Sequence, residues 1–156
     1  MSLELCNSTR QAIPNKRLLQ AIRMVVQGEG YEIATITGVY CGNRMSQRIN
    51  RDYLNHDYPT DTITFCYSEG KAIEGEFYIS LDVIRCNARH FNVTFEEELL
   101  RVTIHSALHL TGMNDYLPEE RVAMQAKEDY YLQLLKTQKS ISPQKSTDNA
   151  IFSCNS

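Results

Sequence analysis

The stretch His105-Ser106-Ala107-Leu108-His109-Leu110-Thr111-Gly112-Met113-Asn114-Asp115 decides how this chain reads. Leu100, Ile104, Ala107, Leu108 and Thr111 recur at three- and four-residue intervals, the stripe of a helix with one face on a core. Thr94 and Glu97 have the spacing of a capping box, so the helix is predicted to run from 94 to about 111. Within it, His105 and His109 lie one turn apart on one face, at the edge of the apolar stripe. Gly112 can take the left-handed conformation that ends a helix and turns the chain back, which would bring Asp115 to the same side. Two imidazole nitrogens and one carboxylate oxygen suit Zn²⁺, and three protein ligands leave a position open for water, the pattern of a catalytic site. The plainer alternative is two ordinary helix histidines, one buried and one exposed. The edge-of-stripe placement and the Gly-x-x-Asp that follows favour the metal.

Working outward, Pro14 opens a helix that carries Leu18, Leu19, Ile22 and Val25 or Val26 to a stop at Gly28. Residues 32–41 are rich in Ile, Val, Thr and Tyr and predict a strand. Asn43 suits the N-cap of a helix to about Leu54, with Met45, Ile49 and Tyr53 as its inner face. After the turn-rich segment 57–61, residues 62–66 and 76–80 are two short strands predicted to pair as an antiparallel hairpin. A helix over 82–91 precedes the metal helix, and Pro118-Glu119-Glu120 opens a last one to about Lys136. From Thr137 the composition turns to Ser, Gln, Lys, Asn and Pro, predicting one domain over 1–136 and a disordered tail over 137–156. Helices interleaved with a few strands make an α+β fold with one small mixed sheet.

The bulk composition excludes several classes. The chain's 156 residues, 42% hydrophobic and 22% charged, are those of a soluble globular domain. No apolar run approaches membrane-spanning length, and the start lacks a secretory signal layout. Five scattered cysteines without a Cys-x-x-Cys favour free thiols in a reducing cytoplasm over thiolate zinc sites or disulfides. A net charge of −3 excludes an all-round basic coat while leaving room for a local basic groove. Gly28-Glu29-Gly30 follows a helix and precedes a strand, the reverse of a phosphate loop, and is a turn. Ser106 stands where a His-Glu-x-x-His peptidase needs its glutamate base, which disfavours a peptidase. A 2-His-1-carboxylate iron oxygenase uses the same donors and ranks second to zinc. His90 is expected to be structural, near a helix end where a cation suits the dipole. His56 could touch substrate, although a solvated helix-end histidine is the commoner outcome.

The motif and its surroundings resemble the bacterial YbeY family of metal-dependent single-strand endoribonucleases. The family signature, His-Gly-x-Leu-His-Leu-x-Gly-Tyr-Asp-His, is matched in frame by His105 through Asp115. The upstream pattern Leu-Asn-x-x-Tyr-Arg-x-Lys-Asp-x-Pro-Thr-Asp is matched by Ile49-Asn50 through Pro59-Thr60-Asp61, and the Gly-Asp-Ile-x-Ile-Ser strand by Gly75 to Ser80. The chain departs from the pattern at Asp115, where the family usually has histidine, at Leu54, where it has arginine, and at His56, where it has lysine. Exchanging a bidentate phosphate clamp for leucine is not conservative, which leaves Arg44, Arg48 or Arg51 to take over.

The resemblance implies a mixed four-stranded sheet flanked by helices, with the metal-site helix packed on it. It implies one zinc ion per chain on His105, His109 and Asp115, which would carry the catalysis, beside a groove for RNA. Arg51, His56, Thr60 and Asp61 are the expected substrate contacts. The implied activity is single-strand-specific endoribonuclease cleavage in ribosomal RNA maturation. Implied partners are that RNA and the small ribosomal subunit or its assembly proteins, in the cytoplasm and without a membrane. Zinc on such a site lowers the pKa of bound water towards roughly 7. The alternative is a ribosome-assembly binding factor with a structural metal and little or no catalysis. A zinc hydrolase with a non-RNA substrate is a distant third.

Overall fold

A computed structural model of the chain describes residues 1–54, 61–138 and 150–152. The elements run β1 (Ser2–Asn7), α1 (Asn15–Gly28), β2 (Glu32–Cys41), α2 (Asn43–Leu54), β3 (Thr62–Cys66), β4 (Ala72–Ser80), α3 (Leu81–Phe91), α4 (Phe95–Leu110), α5 (Pro118–Gln138) and β5 (Ala150–Phe152). The sheet order is β3-β4-β2-β1-β5, with β3 antiparallel to β4 and the other pairings parallel. The α+β fold and the expected hairpin are both present, and the four-stranded mixed sheet is the set β3-β4-β2-β1. A fifth strand extends it: Ala150–Phe152, inside the segment expected to be disordered, pairs with Leu3–Leu5.

Two sheet elements carry little local signal. β1 is only six residues long, and its buried residues Leu3, Leu5 and Cys6 become core only once β2 lies beside them. β4 begins at Ala72, four residues before the predicted start, because Ile73 and Glu74 extend the parallel ladder with β2.

The helices are where periodicity and caps put them, with two corrections, both in α2. α1 buries Leu18, Leu19, Ile22, Val25 and Val26 as expected, with Ala21. α2 does not turn Met45 inward: Met45 is exposed and Ile49 only partly buried, while Ser46 and Asn50 are fully enclosed. Tyr53's side chain lies outside the described residues. Nor does Asn43 cap α2 from outside; it is the first helical residue, and its backbone N–H donates to Asp82 Oδ2 of α3 at 2.8 Å. Its own Oδ1 accepts from Ser80 Oγ at 2.7 Å, so the starts of α2 and α3 are tied together.

α4 is the central helix. It packs on β3 and β4 and against α1, α3 and α5. Thr94 Oγ1 caps it by accepting from Glu97 N at 3.1 Å, the first half of the predicted capping box. Ten of its side chains are buried, including Leu99, Val102, Ile104, Ala107 and Leu108, as befits a helix with neighbours on most sides. Two hydroxyl contacts fix it to the sheet: Thr103 with Tyr40 OH at 3.0 Å, which is buried, and Ser106 with Thr62 Oγ1 at 2.7 Å, which is partly buried. Close approach is possible near its end because Gly75 has no Cβ; one there would sit 2.8 Å from Leu110 Cδ2 and 2.7 Å from the Phe65 carbonyl oxygen. This packing holds one narrow edge of α4 out of the core, and the histidines occupy that edge.

Candidate metal centre

His105 and His109 project from the last two turns of α4, both partly buried. The helix ends at Thr111, and Gly112, at φ +92°, turns the chain through a conformation that side chains with a Cβ resist. Met113 N–H donates back to the Leu108 carbonyl at 3.2 Å, which fixes the turn and carries Asp115 across to the histidines. The three candidate ligand atoms then converge. His105 Nε2 lies 3.0 Å from His109 Nε2, and Asp115 Oδ2 lies 3.4 Å and 3.5 Å from them respectively.

That spacing suits a bound ion. Atoms bound tetrahedrally at about 2.0–2.1 Å from zinc stand roughly 3.3 Å apart, so the triangle matches such an ion without rearrangement. The donor set, two nitrogens and one carboxylate oxygen, is suited to zinc and leaves a fourth position for a non-protein ligand. Among the described residues this is the one group of three His, Cys, Asp or Glu whose atoms converge closely enough to hold a metal ion.

A further carboxylate, not foreseen from the sequence, organises the centre. His105 Nδ1 donates to Glu128 Oε2 of α5 at 2.7 Å. This places the proton on Nδ1 and leaves the Nε2 lone pair directed at the other two ligands, an arrangement common behind metal-binding histidines. Glu128 is buried, and its Oε1 accepts from Arg101 Nη1 at 3.1 Å, while Arg101 Nη2 donates to Asp129 at 2.7 Å. Burial opposes protonation of His105 most strongly, but the Glu128 hydrogen bond and charge, with Asp61 and Asp115, raise its pKa above the usual histidine value. His109 goes the other way. Burial and the neighbouring His105 lower its pKa, against Asp115 and a hydrogen bond to the Met113 backbone. The lowered His109 is thereby kept in the neutral form a metal needs, whereas His105, held by Glu128, would have to give up its Nε2 proton for an ion to bind.

The remaining predicted residues are placed unevenly. Asp61 lines a cavity that His105 and Asp115 also line. Arg51 lies on α2, more than half exposed, 3.7 Å from Asp52, and is not part of that cavity wall. His56 and Thr60 lie outside the described residues. Ser106 is fully buried against Thr62 on the sheet side, so the position after the first histidine anchors the helix and does not face the metal ligands. His90 is exposed and edge-on to Phe91 at 5.0 Å, away from the centre. Glu128 left no local signal, since 23 residues and a change of helix separate it from His105.

The chain is similar to known proteins over most of its length. Over 136 residues the chain is 57% identical to the endoribonuclease YbeY of Chlorobaculum parvum, covering 87% of this chain and 96% of that protein. It is 48% identical over 135 residues to the endoribonuclease YbeY of Chloroherpeton thalassium, covering 86% of this chain and 96% of the relative. A Thermotoga maritima protein solved in solution superposes with a TM-score of 0.64 at 26% identity, over 95% of this chain and 97% of the other. The family model described as endoribonuclease YbeY matches residues 4–136, and the chain belongs to that family.

Proposed function

We propose that this protein is a zinc-dependent endoribonuclease that cuts single-stranded RNA, in ribosomal RNA maturation in the cytoplasm. The observation that carries the chemistry is the triangle of His105 Nε2, His109 Nε2 and Asp115 Oδ2, with sides of 3.0–3.5 Å. Bound there, zinc would acidify water and stabilise negative charge on a phosphoryl oxygen. The chain's own residues do the positioning. Glu128 holds His105 in the tautomer that presents Nε2, Met113 orients His109, and the Gly112 turn delivers Asp115. An anionic third ligand offsets part of the ion's charge, so the water is acidified less than it would be by three neutral imidazoles. Asp61 forms part of the adjoining wall. Arg51, with His56 and Thr60, is proposed to contact the RNA strand, and Arg44 and Arg48, exposed on α2, are further cations for its phosphates.

The test is cleavage of a single-stranded RNA by the zinc-loaded protein beside His109→Ala. Cutting by the wild type that the variant loses supports the proposal, and analysis of the ends separates two routes: a 2′,3′-cyclic phosphate excludes direct attack by water. Intact RNA after incubation with zinc-loaded wild type would sink the enzyme reading. A binding role in ribosome assembly, to which the absent arginine at Leu54 lends weight, would then lead.

A further inference from the structure

Beside the metal ligands lies a cavity of about 540 Å³, bounded by α3, α4, α5 and the residue preceding β3, with His105 and Asp115 in its wall. That volume is within the usual range of small-molecule sites, about 300–1,000 Å³. The charges around it decide what can enter. Four carboxylates line it, from Asp61, Glu98, Asp115 and Glu128, against the guanidiniums of Arg101 and Arg121. Arg101 is already shared between Glu128 and Asp129, and Arg121 Nη1 donates to the Tyr116 carbonyl at 2.9 Å. In the part of this space away from the metal ligands, a phosphate would meet the Asp61 and Glu98 carboxylates, while the two arginines of the wall are already engaged, and like charges at close range repel. That part of the wall is therefore poorly suited to the phosphodiester chain. A neutral, flat group with hydrogen-bond donors on its edge meets no such barrier.

The wall also supplies what such a group needs. Phe91, at the end of α3, is 60% exposed although it borders the cavity, so a ring face or edge is open to stacking. Glu98 is buried, near enough to Asp61 for each charge to be felt by the other, and it shares a hydrogen bond with Asn87. Carboxylates accept from the exocyclic amino group of cytosine, and a uracil placed the same way sets its O4 acceptor against them. Stacking on an aromatic ring contributes to binding whatever the base.

We propose that this cavity is a nucleobase subsite, which stacks the base of a nucleotide flanking the scissile bond on Phe91 and selects an exocyclic amino group through Glu98 and Asp61. The proposal rests on the endoribonuclease reading only for the word scissile, because base binding can be measured without cleavage. The experiment uses fluorescence anisotropy of the full-length, zinc-loaded protein with 2′-O-methyl oligomers of cytosine, adenine and uracil. Cleavage of the matching RNAs is measured alongside. Cytosine and adenine oligomers are expected to bind at least about fivefold more tightly than uracil. Phe91→Ala should weaken all three by about fivefold or more, the lower end of the loss seen when one stacked base loses its ring. Glu98→Gln, which adds an amide donor, should shrink the cytosine-over-uracil ratio towards one while zinc content stays at one per chain. Equal binding of the three oligomers, or unchanged affinity in Phe91→Ala, would overturn the subsite. Base-selective binding with no RNA cut would leave the subsite standing and remove the nuclease proposal instead.

Discussion

Replacing Glu128 by glutamine should cost the protein 10- to 100-fold in zinc affinity without unfolding it. The carboxylate makes two contacts, accepting from His105 Nδ1 at 2.7 Å and from Arg101 Nη1 at 3.1 Å. Glutamine keeps the shape but removes the charge that holds the imidazole, and it can present its NH₂ to Nδ1 as readily as its oxygen. The wrong face invites the tautomer with the proton on Nε2, which is the atom needed for the metal. Loss of the carboxylate behind a metal-bound histidine typically weakens binding by about 10- to 100-fold, which corresponds to about 1.4–2.7 kcal/mol. A charge-assisted hydrogen bond is worth about 1.5–3 kcal/mol, so two independent estimates agree. Arg101 retains Asp129 at 2.7 Å, which limits the damage on the far side. The assay is competition for Zn²⁺ against a chromophoric chelator at pH 7.5, with circular dichroism to confirm the fold. Asp129→Asn is the control, because Asp129 is largely exposed and touches Arg101 but not His105; its affinity should stay within about twofold. A Glu128→Gln protein that binds zinc as tightly as the wild type would refute the positioning role and make the 2.7 Å contact incidental.

Three further outcomes follow from the packing around the centre. Ser106→Ala removes the partly buried bond to Thr62, and denaturant melts should show a loss of about 1 kcal/mol with zinc affinity unchanged; a large change in affinity would contradict its sheet-facing placement. Cys66 and Cys86 are exposed and should react with a thiol reagent at pH 8 in the native protein. Cys41 should not, since burial first and the Asp82 charge second push its thiol up to about 11; rapid labelling of Cys41 mapped by mass spectrometry would count against this. Burial, opposed by Arg101 on α4 and aided by the charges of Asp61 and Glu128, raises the Glu98 carboxyl above its usual value. A raised folded pKa contributes stability that is present below the unfolded pKa, about 4.3, and is lost as pH rises through the folded value. Glu98→Gln should therefore gain stability relative to wild type between pH 4 and pH 7, and a flat difference across that range would be inconsistent with a buried, strained charge.

Much of this protein is legible one segment at a time. His105 and His109 are four residues apart on a helix whose apolar stripe and Thr94 cap are local, and Gly112 and Asp115 follow within six residues. Helix geometry and one glycine turn were therefore sufficient to predict a three-ligand centre, because every constraint acted over two or three turns of chain. The antiparallel pair β3–β4 was legible for the same reason, being joined by a short polar connection. Tertiary packing decided the rest. Glu128 meets His105 only because α5 lies along α4, and nothing near residue 128 marks it as different from the other acids of that helix. α2 turns Ser46 and Asn50 inward in place of Met45, a choice that follows from what the rest of the fold places beside it and not from hydrophobic periodicity. β1 and β5 join the sheet as parallel partners from opposite ends of the chain, and parallel pairing across such separations leaves no local turn signal. The three candidate ligands were set by neighbours in sequence, whereas the groups that hold, charge and surround them are neighbours only in space.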